Sequence, residues 1–237
     1  MTSSTTFEKY LLGTLKVLGV FVVLFFSYQM YKIVVPYILV QGNWWRTDID
    51  FLMSKQKIVR LLHYMGAFYV HIFSSLLVLL AGATQFSHVL MTKYAVIHRN
   101  IGKMYVFLVL VISAPGALIM SYYANGGTIA KIGFIVLSIL WWVFTWLAYT
   151  RIRERKFISH ANFMLRSYAL TFSAITLRIY QFVIHQFFAA DFPLDSLQTY
   201  QMLSYMSWIP NLIVVEILIY KGFNDWILKK PINIEQS

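Results

Sequence analysis

The chain has 237 residues, of which 59% are hydrophobic, 18% aromatic and only 12% charged. A soluble domain has no use for that much apolar surface, and several apolar runs of about 20 residues define a polytopic α-helical membrane protein. The net charge of +11 sits between those runs, where it sets orientation and gives no reason to invoke nucleic acid; with no cysteine, disulfides, thiolate catalysis, iron–sulfur clusters and Cys-ligated metals are excluded.

One transmembrane domain accounts for residues 1–237, with six helices predicted at about 10–39, 61–89, 101–124, 129–150, 161–187 and 200–220. The first is longer than a signal-peptide core and shows no small-residue cleavage site, so it reads as an uncleaved span. Trp44, Trp45, Arg46, Asp48 and Asp50 then give residues 41–60 the composition of an aromatic, amphipathic segment at the membrane surface. In the second span His71, Ser74, Ser75, Gly82 and Gln85 share roughly one face, a polar seam. The third carries Pro115-Gly116, a predicted kink, and Asn125-Gly126-Gly127 follows as a tight turn. Trp141, Trp142 and Trp146 in the fourth read as packing and lipid contact. After the fifth come an acidic loop with Asp191 and Pro193, and a sixth span holding Pro210, Asn211 and Glu216.

The fifth stretch, His160–Gln186, organises the chain. As one helix its 27 residues span roughly 40 Å, enough to cross the hydrocarbon and part of the headgroup layer. His160, Met164, Ser167, Thr171, Ala174, Arg178, Gln181 and His185 fall along one narrow face, and the other faces are Phe, Leu, Ile, Tyr and Val. The apolar faces suit lipid and packed neighbours, so the polar strip is predicted to face the bundle interior, opposite the seam of the second span. Arg178 is the sharpest residue on it. A guanidinium in hydrocarbon is costly without partners or water, which marks either a functional site or a charge that snorkels to headgroups or locks two helices together.

Six spans put both termini on one side. With the N-terminus cytoplasmic, twelve Lys and Arg lie in inside segments against five outside, Arg46, Lys55, Lys57, Arg60 and Lys131, so both ends are placed inside. His88, His98 and His160 then fall at the cytoplasmic surface, His63 and His185 near the outer one, and His71 and Arg178 between the middle and the outer side. Glu216 lies five residues before Lys221, at the depth of Arg166 and far from Arg178, so any arginine it pairs with is predicted to be Arg166.

Two segments open helices from the cytoplasmic side with a histidine followed by basic residues: His98-Arg99-Asn100-Ile101-Gly102-Lys103-Met104-Tyr105 and His160-Ala161-Asn162-Phe163-Met164-Leu165-Arg166-Ser167-Tyr168. On these the chain resembles the bacterial family of predicted membrane proteins catalogued as domain of unknown function 2306, whose members carry HR-x-x-G-[RK]-x-Y and H-x-x-[FW]-M-x-R-S-Y. The likeness covers about Leu62–Gln186 and implies a shared membrane fold without an assigned activity. The matching positions are His98, Arg99, Gly102, Lys103, Tyr105, His160, Phe163, Met164, Arg166, Ser167, Tyr168 and Arg178.

Three functions are compatible with these residues. The first is a histidine-based haem or quinone redox protein for membrane electron transfer, because neutral imidazoles ligate haem iron and cations neutralise its propionates. Haem b would be the cofactor, with iron ligands from His98, His160 and His71. An inner set is His88, His98 and His160 with Arg99, Lys103 and Arg166; an outer set is His63, His71 and His185 with Arg178 and Arg60. The layering is loosely similar to di-haem transmembrane reductase cytochromes, but here the fourth span has no histidine and the third has one only at its mouth. The second function is a carrier for a small solute, an anion or a proton, with Arg178 as the binding charge. The third is a structural or accessory subunit of a membrane complex, its cations holding loops and lipid phosphates. A zinc hydrolase fits poorly, since no H-E-x-x-H pattern occurs, and nucleophile motifs and phosphate-cradling glycine loops are absent. The expected setting is the inner membrane, in contact with lipid and with partner membrane subunits.

Overall fold

The computed structural model describes residues 21–32, 34–37, 55, 57–188 and 193–223, and all regular structure among them is helical. The surface segment around Trp44 and Trp45, the start of the first span and Asp191 lie outside the described residues. Helix α1 is Phe21–Tyr37, α2 is Leu62–Thr84 and α3 is the short His88–Thr92. The third predicted span comprises α4 (Ala95–Phe107), a π turn over Leu108–Ser113 and α5 (Ala114–Tyr122). Helix α6 is Gly127–Arg153; the fifth stretch is α7 (Phe157–Thr171) plus α8 (Ser173–Phe188); the sixth is α9 (Ser196–Met206) plus α10 (Ile209–Tyr220). Among the described residues, four helical stretches are long and apolar enough to cross a bilayer: Leu62–Thr84, Ala95–Tyr122, Gly127–Arg153 and Ser196–Tyr220.

The interruptions have local causes. Pro115 lacks the N–H that would close on the carbonyl one turn earlier, and the predicted kink takes the form of the wider π turn just ahead of it. Pro210 similarly divides α9 from α10. The fifth stretch is not the single helix that its length predicts. Thr171 Oγ1 donates back to the Ser167 carbonyl at 3.2 Å and Thr176 Oγ1 to the Phe172 carbonyl at 3.3 Å, and such back-bonds on both sides of Phe172 bend the helix there. The second span ends at Thr84, short of the predicted Val89, because Ser87 caps a new helix by accepting from the Leu90 N–H at 3.4 Å. The turn at Asn125-Gly126-Gly127 forms as predicted, with φ of +87° and +70° at the two glycines.

Helices α6 and α7, joined by Glu154–Lys156, form the most extensive pair in the bundle. Their junction, with His98 and His160 nearby, makes one end of the molecule basic; Lys55 and the Asn125 turn mark the other. Near the basic end Arg166 grips Glu216 in a two-pronged ion pair, Nε to Oε1 at 2.6 Å and Nη2 to Oε2 at 2.7 Å, as their matched depths predict. Val78, Tyr105, Val109, Trp141, Leu170 and Trp208 fill the central core. Phe107, Val111, Trp142, Phe182 and Val214 are exposed on the outside, the apolar exterior that lipid contact requires.

Close approach at Gly82 lets the second, third and fifth stretches meet. A Cβ built there would lie 2.4 Å from the Tyr168 ring and 2.8 Å from that of Tyr105, which is fully buried and hydrogen-bonded. Gly82→Ala should therefore lower stability by about 1–2 kcal/mol, the usual scale of overpacking, measured as a lower thermal midpoint in detergent. A midpoint equal to that of the unsubstituted protein would mean that the rings yield without strain.

Candidate functional site

Toward the Lys55 end, a cavity of about 320 Å³ opens between α1, α2, α5, α6, the end of α7, α8 and α9. Its polar wall includes Lys55, Tyr64, His71, Thr171, Arg178 and Ser207. Arg178 enters from α8, and its one hydrogen bond among the described residues runs from Nη1 to the Ala174 carbonyl at 2.8 Å. A guanidinium carries five donors in a fixed fork, so most of its capacity is left for the cavity. The described carboxylates are engaged elsewhere. Glu154 meets Arg151 and Lys156, Glu216 meets Arg166, and Asp195 caps α9 by accepting the Gln198 N–H at 2.7 Å. Among the described residues, no carboxylate lines the cavity.

Lys55 precedes α2 yet is buried, its ammonium donating to the Tyr123 carbonyl and to Asn125 Oδ1, the latter at 2.7 Å. Burial pulls its pKa down to about 8, and the charge of Lys131 adds to the effect. Tyr64 and Ser207 present buried hydroxyls with no hydrogen-bond partner among the described residues. Leaving such a group unmatched costs about 1–3 kcal/mol, so the wall has unsatisfied donors beside its cations. His71 is bonded through Nδ1 to the Ser113 carbonyl at 2.9 Å, which makes Nδ1 the donor and Nε2 the acceptor. Its ring lies edge-on to Trp141, centroids 6.4 Å apart.

The two predicted seams meet across this cavity rather than through direct hydrogen bonds to each other. From the second span, His71 and Ser74 bond to Ser113 of the third. From the fifth, Ser167 and Thr171 bond to Tyr105, Thr145 and Trp141 of the third and fourth. A narrow polar face requires buried polar partners, but the spacing does not name the helix that supplies them. Within the tryptophan group Trp141 takes the packing role in the buried core, and to it adds a hydrogen bond from Nε1 to Thr171 Oγ1 at 3.0 Å. Trp142 and Trp146 do remain outside, stacked at 5.9 Å.

The predicted histidine layers are only partly gathered. His98 and His160 each sit seven residues before a bonded pair, Tyr105 and Ser167, on the same helix faces, and they interact electrostatically. His160 Nδ1 binds the Ala148 carbonyl at 2.8 Å, while His98 Nδ1 is buried with no partner. His88 lies on α3, Arg99 and Lys103 are exposed, and Arg166 is engaged by Glu216. At the other end His63 is exposed, with Nε2 2.7 Å from the Tyr123 hydroxyl, and His185 and Arg60 are exposed. Only His71 of that set joins Arg178 at the cavity. Among the described residues, no three of His, Cys, Asp and Glu come together as a metal site. Sequence reasoning missed Lys55, Tyr64 and Ser207; Tyr64 was accessible, because it stands seven residues before His71 and so on the same helix face.

The model of a family described as predicted membrane protein (DUF2306) matches residues 68–219. The chain belongs to this family. The DUF2306 match takes in both histidine-led motifs and, at the cavity, His71, Thr171, Arg178 and Ser207, whereas Lys55 and Tyr64 precede it. No curated protein and no solved structure matches the chain.

Proposed function

We propose that this is a multi-pass carrier that binds a monovalent organic anion, a carboxylate with a compact apolar body, in the cavity between Lys55 and Arg178. The supporting observation is Arg178 on α8, which lines the cavity with a single hydrogen bond among the described residues, to the Ala174 carbonyl, and with no described carboxylate beside it. An Arg in that setting is held for a charged visitor. Phe68, Ile72, Leu79, Met120, Leu137 and Leu177 supply apolar walls for the rest of the ligand, and the volume lies at the small end of ligand pockets. Counting α1 and the α7–α8 pair as crossings gives six spans with both termini cytoplasmic. The cavity then lies in the outer half of the inner membrane, with Lys55 at its mouth.

The test is uptake of labelled benzenesulfonate, which stays charged and does not leak through lipid as a neutral acid. Protein-containing liposomes should take it up faster than empty ones; equal rates contradict carriage. The alternative, haem-based electron transfer, draws on His98 and His160. The anion reading predicts a featureless visible spectrum from dithionite-reduced protein made with adequate haem, and an α-band would overturn it.

Lys55 supplies a pH signature. Its ammonium is charged below about 8 and neutral above it, so an anion binds more tightly on the acid side, and binding in turn holds the proton on. Benzoate affinity should fall about fivefold or more as pH rises through that value, the effect of one nearby charge worth ~1 kcal/mol. Lys55→Met should flatten the profile; a variant with the same slope would move the mouth of the site elsewhere.

A further inference from the structure

Four buried hydroxyls from three helical stretches, the third, fourth and fifth, form one hydrogen-bonded row. Thr171 Oγ1, which lines the cavity, lies 3.0 Å from the Tyr105 hydroxyl; Tyr105 lies 2.8 Å from Ser167 Oγ, and Ser167 lies 2.7 Å from Thr145 Oγ1. All four are buried, three of them completely. Helix packing alone needs no such row, since a serine or threonine can satisfy itself on its own helix, as Thr92 does on His88 and Thr150 on Leu147.

Each hydroxyl has one proton to give and two lone pairs to accept with, and the row closes in both directions. In one polarity Thr171 donates to Tyr105, Tyr105 to Ser167, Ser167 to Thr145, and Thr145 to the Trp141 carbonyl at 2.8 Å. In the other, Thr145 donates to Ser167, Ser167 to Tyr105, Tyr105 to Thr171, and Thr171 to the Ser167 carbonyl at 3.2 Å. The Trp141 indole N–H donates to Thr171 in either case. Two complete arrangements of the same atoms are what a proton-relaying row requires. The row also has a destination. One helical turn beyond Thr145, a rise of ~4.5 Å, the Ala148 carbonyl holds the His160 ring. His98 feels the charge of His160, and its buried Nδ1 has no partner among the described residues.

We propose that this row carries protons between the cavity and the His98–His160 end, so that an anion entering the cavity travels with a neutralising proton. A proton taken up at Thr171 displaces the Thr171 hydroxyl proton to Tyr105, and the displacement passes through Ser167 to Thr145, whose own proton leaves the Trp141 carbonyl and crosses the one-turn gap on water to His160 Nε2, the nitrogen left to accept because Nδ1 donates to the Ala148 carbonyl. The four hydroxyls are left neutral with their polarity reversed, and rotation of each O–H restores the start. The coupling to an anion rests on the function proposed above; the proton path does not.

The test uses full-length protein in phosphatidylcholine liposomes with trapped pyranine and a potassium diffusion potential set by valinomycin, with no organic anion present. The unsubstituted protein should acidify the interior at least tenfold faster than empty liposomes. Tyr105→Phe, which keeps the ring and removes the central hydroxyl, should fall to the empty-liposome rate while benzoate still raises its thermal midpoint. If Tyr105→Phe does not fold, Ser167→Ala interrupts the same row. Acidification by the unsubstituted protein no faster than empty liposomes, or by the folded variant as fast as the unsubstituted protein, overturns the path. Failure of benzoate to stabilise the unsubstituted protein overturns the anion site instead and leaves the proton result standing.

Discussion

Arg178→Gln should weaken benzoate binding at least 30-fold, about 2 kcal/mol, without unfolding the protein. A charge-assisted hydrogen bond in a site shielded from water is worth about 1.5–3 kcal/mol, and glutamine at this position offers an amide with no charge. Stability should not suffer, because no described carboxylate pairs with Arg178 and its removal relieves a buried charge of its desolvation cost. The unliganded thermal midpoint is therefore expected to stay level or to rise. Calorimetric titration with benzoate and a melting curve of the same sample read both quantities. Unchanged affinity would remove Arg178 from the binding site; a large drop in the midpoint would make it an architectural residue.

The second large effect is expected where charges do pair. Glu216→Leu strands the Arg166 guanidinium, whose side chain is only 19% exposed, and should lower unfolding stability by about 2 kcal/mol. The figure is set below that of a fully buried pair because the Glu216 side chain is 51% exposed and partly screened. The double variant Arg166→Leu, Glu216→Leu removes both charges and should recover most of the loss. A double variant as unstable as the single one would show that shape, not charge, joins α7 to α10. Benzoate affinity should be untouched in both, since this pair is outside the cavity wall.

The Arg166–Glu216 pair also shows what could be read from residues alone. Apolar run lengths set depth, depth matched these two and separated Glu216 from Arg178, and the bidentate contact followed. The polar face of the fifth stretch was legible for the same reason, because helical spacing fixes which residues share a side. It did not say that Ser167 and Thr171 would be met by Tyr105, Thr145 and Trp141, because periodicity carries no information about the partner. The break at Phe172 depends on whether the flanking threonines turn back onto their own carbonyls, a choice of side-chain rotamer. Lys55 escaped notice because a lysine among loop residues reads as a surface charge; only the fold brings the Tyr123 carbonyl and Asn125 around its ammonium.

All of this turns on whether the space between Lys55 and Arg178 takes a negative charge. Benzoate and benzyl alcohol share a ring and differ in the group it bears, so titrating each into the detergent-solubilised protein at pH 7 isolates that question. Saturable, stabilising binding of benzoate with benzyl alcohol at least tenfold weaker is the result expected. Equal affinity for the two, or none for either, would contradict an anion site in the cavity.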